Sequence, residues 1–174
     1  MLGKGYVHLY TGNGKGKTTA SRGLVFRAAG AGLDSIIIQF MKGQPYSELE
    51  AVKFFQGKIL IEQYGDQEFC QVEKENFERH LEQAKKGFRR AKEALLGERQ
   101  VIILDEVITA FSFHLLKEEE ILELISKKPV GKELILTGRG ATSKIIQKCD
   151  LVTEMKEVKH YFQQGLIARK GIEN

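Results

Sequence analysis

Gly12-Asn13-Gly14-Lys15-Gly16-Lys17-Thr18-Thr19 is the stretch on which the reading of this chain turns. It follows a strand-like run, Tyr6-Val7-His8-Leu9-Tyr10, and precedes a helix-like one from Ala20 to Ala29. Strand, glycine loop, Gly-Lys-Thr and helix form the phosphate-cradle arrangement. The glycines let successive backbone N–H groups converge on phosphate oxygens, and the helix N-terminus adds the positive end of its dipole. In such a loop Lys17 reaches the outer phosphates and the Thr18 hydroxyl holds Mg²⁺. One position departs from the usual pattern: Thr11 stands where Gly or Ala is customary, five residues before Gly16.

Outward from the loop, short β-branched runs alternate with helical patterns. Strands are expected at Tyr6–Tyr10, Ser35–Phe40, Lys58–Gln63, Val101–Leu104, Glu133–Thr137 and Leu151–Met155. Nearly continuous apolar runs such as Ile36-Ile37-Ile38 and Val101-Ile102-Ile103-Leu104 suit strands buried on both faces, as in a parallel sheet covered by helices. Helices are expected at Ser21–Ala29, Asn76–Leu96, Glu118–Ser126 and Ser143–Lys148. In the longest, Phe77, Leu81, Ala84, Phe88, Ala91 and Leu95 recur at alternating spacings of four and three, which is one face of a helix. The fold class is therefore α/β, a three-layer P-loop NTPase-like fold of the recombinase type with a mostly parallel central sheet. Ligands in such a fold lie at the carboxyl ends of the strands.

A second nucleotide signal is Val101-Ile102-Ile103-Leu104-Asp105-Glu106, an apolar strand ending in two acids. In P-loop proteins a strand of this kind lies beside the P-loop strand and brings a carboxylate to Mg²⁺. Asp105 or Glu106 would bind the metal directly or through water; alternatively, Asp105 caps a helix starting near Val107. Leu136-Thr137-Gly138-Arg139-Gly140 also ends a strand at the carboxyl edge. Arg139 there reaches phosphate or ribose, or is a surface arginine in a strand-to-helix turn. Gln39-Phe40-Met41-Lys42-Gly43 reads as an exposed turn, with Glu48 on the ensuing loop or helix. Arg27 turns toward ribose or simply solvates its helix. His160 has no neighbour at nucleophile–base spacing, so a histidine-driven hydrolase is disfavoured.

The bulk properties narrow the classes. A chain of 174 residues fits one domain, taken as residues 1–174, with room for a sizeable core. Hydrophobic residues make up 42% and charged residues 29%, the balance of a soluble globular protein. No apolar run approaches the ~20 residues of a membrane span, and the first strand follows Met1-Leu2-Gly3-Lys4-Gly5 without room for a signal peptide. Cys70 and Cys149 lack metal-ligand spacing and read as reduced thiols, which points to the cytoplasm. The net charge of +4 is modest and well mixed. Lys85, Lys86, Arg89 and Arg90 sit among Glu78, Glu82 and Glu93, a solvated helix face rather than a nucleic-acid footprint. Neither nucleic acid nor membrane is an expected partner. Taken residue by residue, the motifs allow an ordinary P-loop ATPase or kinase, or a non-catalytic ATP-binding module.

The order of the segments adds a resemblance. Thr11 through Ala20, Gln39–Gly43, Leu104–Glu106, Thr137–Gly140 and Val152-Thr153-Glu154-Met155 are followed by Val158-Lys159-His160, Phe162, Gly165 and Gly171-Ile172-Glu173. The set resembles the ATP:corrinoid adenosyltransferases of the P-loop, cobalamin-pathway type, over about residues 6 to 173. The Thr11 departure is that family's own habit. The resemblance implies transfer of the adenosyl group of ATP to a Co(I) corrinoid with release of triphosphate, ATP lying along the P-loop with reversed polarity. It further implies that residues Gly12 to Thr18 hold the triphosphate, that Thr18 and Glu106 hold Mg²⁺, and that Arg27 lies near the sugar. A homodimer and a flavoprotein reductant are implied as well. Phe69-Cys70-Gln71 takes the place of the family's Phe-Thr-Trp, so Phe69 matches the loop that covers the corrinoid while the tryptophan is absent. The family's terminal aromatic is replaced by Asn174.

Overall fold

The computed structural model describes residues 2–68 and 76–173. Six strands form one sheet: β1 Val7–Thr11, β2 Ser35–Phe40, β3 Ile59–Tyr64, β4 Val101–Asp105, β5 Glu133–Thr137 and β6 Leu151–Glu154. Their order across the sheet is β3-β2-β4-β5-β1-β6, and every pairing is parallel. Parallel neighbours need crossovers, and these are supplied by α1 Lys17–Gly30, α2 Ser47–Ala51, α3 Phe77–Leu96, α4 Val107–Ser112, α5 Glu118–Ser126 and α6 Ser143–Lys148. The expected α/β class with a parallel sheet, of the P-loop NTPase-like kind, is the fold observed.

The two-residue period of the strands divides the core into two layers. Ile36, Ile38 and Phe40 of β2 join Ile102, Leu104, Leu134 and Leu136 on one face, covered by Ala84, Phe88, Ala91 and Leu95 of α3 and by α4 and α5. Ile37, Ile103 and Ile135 face the other way, onto Val25 and Ala28 of α1. All six residues of β2 and all five of β4 are buried, as unbroken apolar runs demand.

Three local expectations need correction. The P-loop helix starts at Lys17, one turn before Ser21, because Gly16 at φ 122° turns the chain directly into it. The short helices α2 and α4 were too brief to show as periodic patterns. The acid-bearing strand β4 does not lie beside the P-loop strand, since β5 is inserted between them. The solvated face of α3 behaves as its charges suggest: Lys86 pairs with Glu82 at 2.7 Å, one turn away. Arg90 instead reaches across to Glu62 on β3 at 2.9 Å. Cys149 is a free thiol whose burial pushes its pKa up to about 11, the mark of an inert cysteine. Among the described residues no helix is long and apolar enough to cross a membrane.

Candidate functional site

The carboxyl ends of β1, β4 and β5 meet the N-terminus of α1, and the loop 12–16 is built against the end of β6. Gly14 N–H donates to Met155 O at 2.6 Å, and Met155 N–H donates to Thr11 O at 2.8 Å. A Cβ at Gly12 or Gly14 would fall 2.5 or 2.7 Å from that same Met155 oxygen, so only glycine fits at this approach. Lys17 folds back under the loop, 6% exposed, and its Nζ donates to Gly12 O at 2.7 Å and Gly14 O at 2.8 Å. Burial pulls the Lys17 pKa below its ordinary value; the Arg139 charge adds to this and the Glu106 and Asp105 charges oppose it.

Asp105 is the hub on the other side. It is 1% exposed, and its Oδ1 accepts from the Thr18 and Thr137 hydroxyls, each at 2.8 Å. Its Oδ2 accepts from Lys42 Nζ at 2.7 Å, and Arg22 Nη2 lies 3.8 Å away. Burial alone would raise the carboxyl's pKa. The Lys42 ammonium, the Arg22 guanidinium and the Thr137 hydroxyl outweigh it and hold Asp105 below the usual carboxylate range. Asp105 does not cap α4, whose N-cap is Glu106 and makes no side-chain capping bond. Glu106 occupies the left-handed region at φ 62°. Its N–H donates to Thr137 Oγ1 at 2.9 Å and its carboxylate accepts from the Thr109 hydroxyl. A non-glycine residue held in this conformation beside a ligand edge is a common mark of a functional position.

These groups open onto a cavity of about 540 Å³. Its floor is Gly14 to Thr19, and Arg22, Glu106 and Arg139 line it further out. Gly12 enters through its carbonyl alone, Asn13 is exposed beside the loop, and Arg27 is exposed and does not line this cavity. Phe69 lies outside the described residues, as does Cys70. Lys42 is the clearest miss: read as an exposed turn, it lines the cavity, 15% exposed, bound to a residue 63 positions away. Arg22 and Tyr46 also escaped notice, and Thr137, quoted in the Leu136–Gly140 run, had no role of its own there. Arg22 pairs with Glu48 of α2, and Gln39 Nε2 supports the same carboxylate at 3.3 Å. The one available signal for Arg22 was its spacing, one turn beyond Thr18 on the same helical face.

The arrangement gathers an N–H cradle, cations from four elements and carboxylates at one strand end, which is the equipment for holding a polyphosphate with a divalent ion. Comparison with known proteins gives the family. The profile of the family described as ATP:corrinoid adenosyltransferase BtuR/CobO/CobP matches residues 3–174. The chain is similar to a corrinoid adenosyltransferase of Sinorhizobium sp, 32% identical over 181 residues, covering 98% of this chain and 80% of that protein. It is 33% identical over 173 residues to that of Pseudomonas aeruginosa, with coverages of 98% and 84%. With that of Salmonella typhimurium the identity is 30% over 171 residues, with coverages of 98% and 86%. On this match, over nearly its full length, the chain belongs to the ATP:corrinoid adenosyltransferase family.

Proposed function

We propose that this protein transfers the 5′-deoxyadenosyl group of ATP to the Co(I) centre of a corrinoid and releases inorganic triphosphate, in the making or salvage of adenosylated cobalamin. The observation that carries this reading is the cavity that joins Gly14–Thr18 of the cradle to Glu106 and Arg139, with Asp105 bound behind Thr18, in a member of this family. In the reaction the cobalt electron pair forms the Co–C5′ bond while the C5′–O bond breaks and its electrons leave with the triphosphate. Charge therefore grows on the phosphate side, where preorganised donors lower the barrier most. Lys17 spends two of its three protons on Gly12 and Gly14; the third is directed to the phosphates. Lys15, Gly16, Thr19 and Arg139 complete the anion-binding set. No general base is required, because Co(I) arrives with its electron pair.

The donor set fits Mg²⁺. Among the described residues no group of three or more His, Cys, Asp or Glu is gathered for a metal. A threonine hydroxyl and one or two carboxylates, with phosphate and water filling the remaining positions, is how Mg²⁺ is ordinarily held. Thr18 and Glu106 would hold it and Asp105 would act through Thr18, since three donors already occupy the Asp105 oxygens. Bound there, the ion neutralises charge on the leaving triphosphate. Phe69 is assigned to the corrinoid side, and a homodimer, a flavoprotein electron donor and a cytoplasmic location complete the reading. Phosphorus NMR of a reaction with Mg-ATP and chemically reduced corrinoid tests it: triphosphate supports the reading, and ADP with phosphate would replace it with an ordinary ATPase or kinase.

A further inference from the structure

The Gly171-Ile172-Glu173 motif has no part in the chemistry described so far, yet the fold brings it onto the P-loop. Residues 157–173 contain no strand or α-helix, only a 3₁₀ turn at Tyr161–Gln164, and much of their apolar surface is open, with Val158 90% and Ile167 76% exposed. Within this segment Glu173, like His160 and Tyr161, is partly covered, its side chain only 14% exposed. Its carboxylate accepts from the Tyr161 hydroxyl, from the Arg169 backbone N–H at 2.9 Å, and from Arg169 Nε and Nη2, each at 3.1 Å. The Arg169 guanidinium also lies 5.3 Å from the centre of the Tyr161 ring. Gly171, at φ 79°, makes the turn that brings Glu173 back onto Arg169. The third partner is not in the segment: Lys15 Nζ, in the P-loop, lies 3.3 Å from Glu173 Oε1.

We infer that Glu173 is a positioning residue for the nucleotide site. It gathers Tyr161, Arg169 and Lys15 about one carboxylate and so holds the C-terminal segment against the P-loop, where His160, Gly171 and Ile172 form the outer wall of the cavity. A carboxylate beside a phosphate cradle is electrostatically adverse unless neutralised, and here two cations and a phenol neutralise it. The Glu173 pKa is accordingly held far below the usual carboxylate range by the Arg169 and Tyr161 hydrogen bonds, with Lys15 assisting. Glu173 itself lines the cavity, but its oxygens are engaged by Tyr161, Arg169 and Lys15, so its effect runs through Lys15 and through the wall. This inference rests on the reading of the cavity as the ATP site.

Four readouts test it on the full chain. Glu173→Gln keeps the shape and loses the charge, and is expected to raise KM for ATP roughly tenfold while kcat stays within about twofold. Glu173→Asp should restore much of that loss, and Glu173→Gln combined with Lys15→Ala should cost less than the two separate losses multiplied. Without nucleotide, Glu173→Gln should speed tryptic cleavage after Arg169 and Lys170, because the clasp that protects them is gone. Unchanged KM together with unchanged cleavage would overturn the inference, as would multiplicative losses in the double variant. If the wild type fails to bind ATP, the site reading falls; the cleavage comparison then still decides whether Glu173 holds the segment.

Discussion

Asp105→Asn is the substitution that separates the ionic architecture of the site from its chemistry. Asparagine keeps the size, and its carbonyl can still accept from Thr18 and Thr137. What changes is the charge, and the amide now presents N–H donors toward Lys42 Nζ, formerly 2.7 Å from a carboxylate oxygen. Removing one partner of a buried ion pair costs about 3–5 kcal/mol. Lys42 and Arg22 keep 15% and 27% of their side-chain surface, so both can turn partly toward water, which places the cost near the lower end, about 3 kcal/mol. For a chain of this size that corresponds to a fall in Tm of roughly 6–12 °C. The pH dependence has a definite sign. Asp105 has a folded pKa below its unfolded one, so its stabilisation is complete above about pH 4 and is lost as pH falls through the folded value. The gap between wild type and Asp105→Asn should therefore be full at pH 7 and narrow progressively in acid. Adding Lys42→Met should recover part of the loss, because it removes the stranded charge. Thermal and urea melts of the three proteins from pH 7 down to pH 3 measure all of this. An Asp105→Asn protein melting within about 2 °C of wild type at pH 7 would refute the hub assignment.

Lys17→Ala removes the loop's charge-assisted donor and should abolish turnover while the protein stays folded, a loss of about 1.5–3 kcal/mol or more of binding to the phosphates; near-normal activity in a folded variant would dismiss the cradle. Glu106→Gln should raise the Mg²⁺ concentration needed for half-maximal rate roughly tenfold or more and leave Tm close to wild type. A sharp drop in Tm with unchanged activity per folded molecule would make Glu106 structural. Gly14→Ala would put a Cβ 2.7 Å from Met155 O, so it should distort the loop and weaken ATP binding more than it lowers stability, as read by calorimetric titration beside a melt.

The parts of the site that could be read from sequence are those in which chemistry and chain order coincide. Strand, glycine turn and helix follow one another within about 25 residues, so Lys17 and Thr18 are placed by local geometry alone. Asp105 and Glu106 end a fully apolar run, and β4 delivers them to the correct edge. The remaining residues are placed by tertiary contacts that no local pattern encodes. Lys42 looks like a turn lysine until β2 lies beside β4 and brings it to Asp105. Thr137 is one hydroxyl at the end of a strand inserted between β1 and β4, and only that insertion makes it a bridge between Asp105 and the Glu106 backbone. Arg22 and Glu48 are 26 residues apart in sequence and meet only in the folded chain. Helices α2 and α4, of five and six residues, are too short to establish a period.

The central claim is that carbon, not phosphorus, is the electrophile in this P-loop site. It is tested most directly by giving the protein Mg-ATP labelled with ¹³C at the 5′ position together with chemically reduced Co(I) corrinoid in the dark. The account predicts that the label appears in a light-sensitive cobalt–carbon product, formed in step with triphosphate and not formed when Lys17 is replaced by Ala. Label remaining in ADP or AMP, with no cobalt–carbon bond formed, would contradict it.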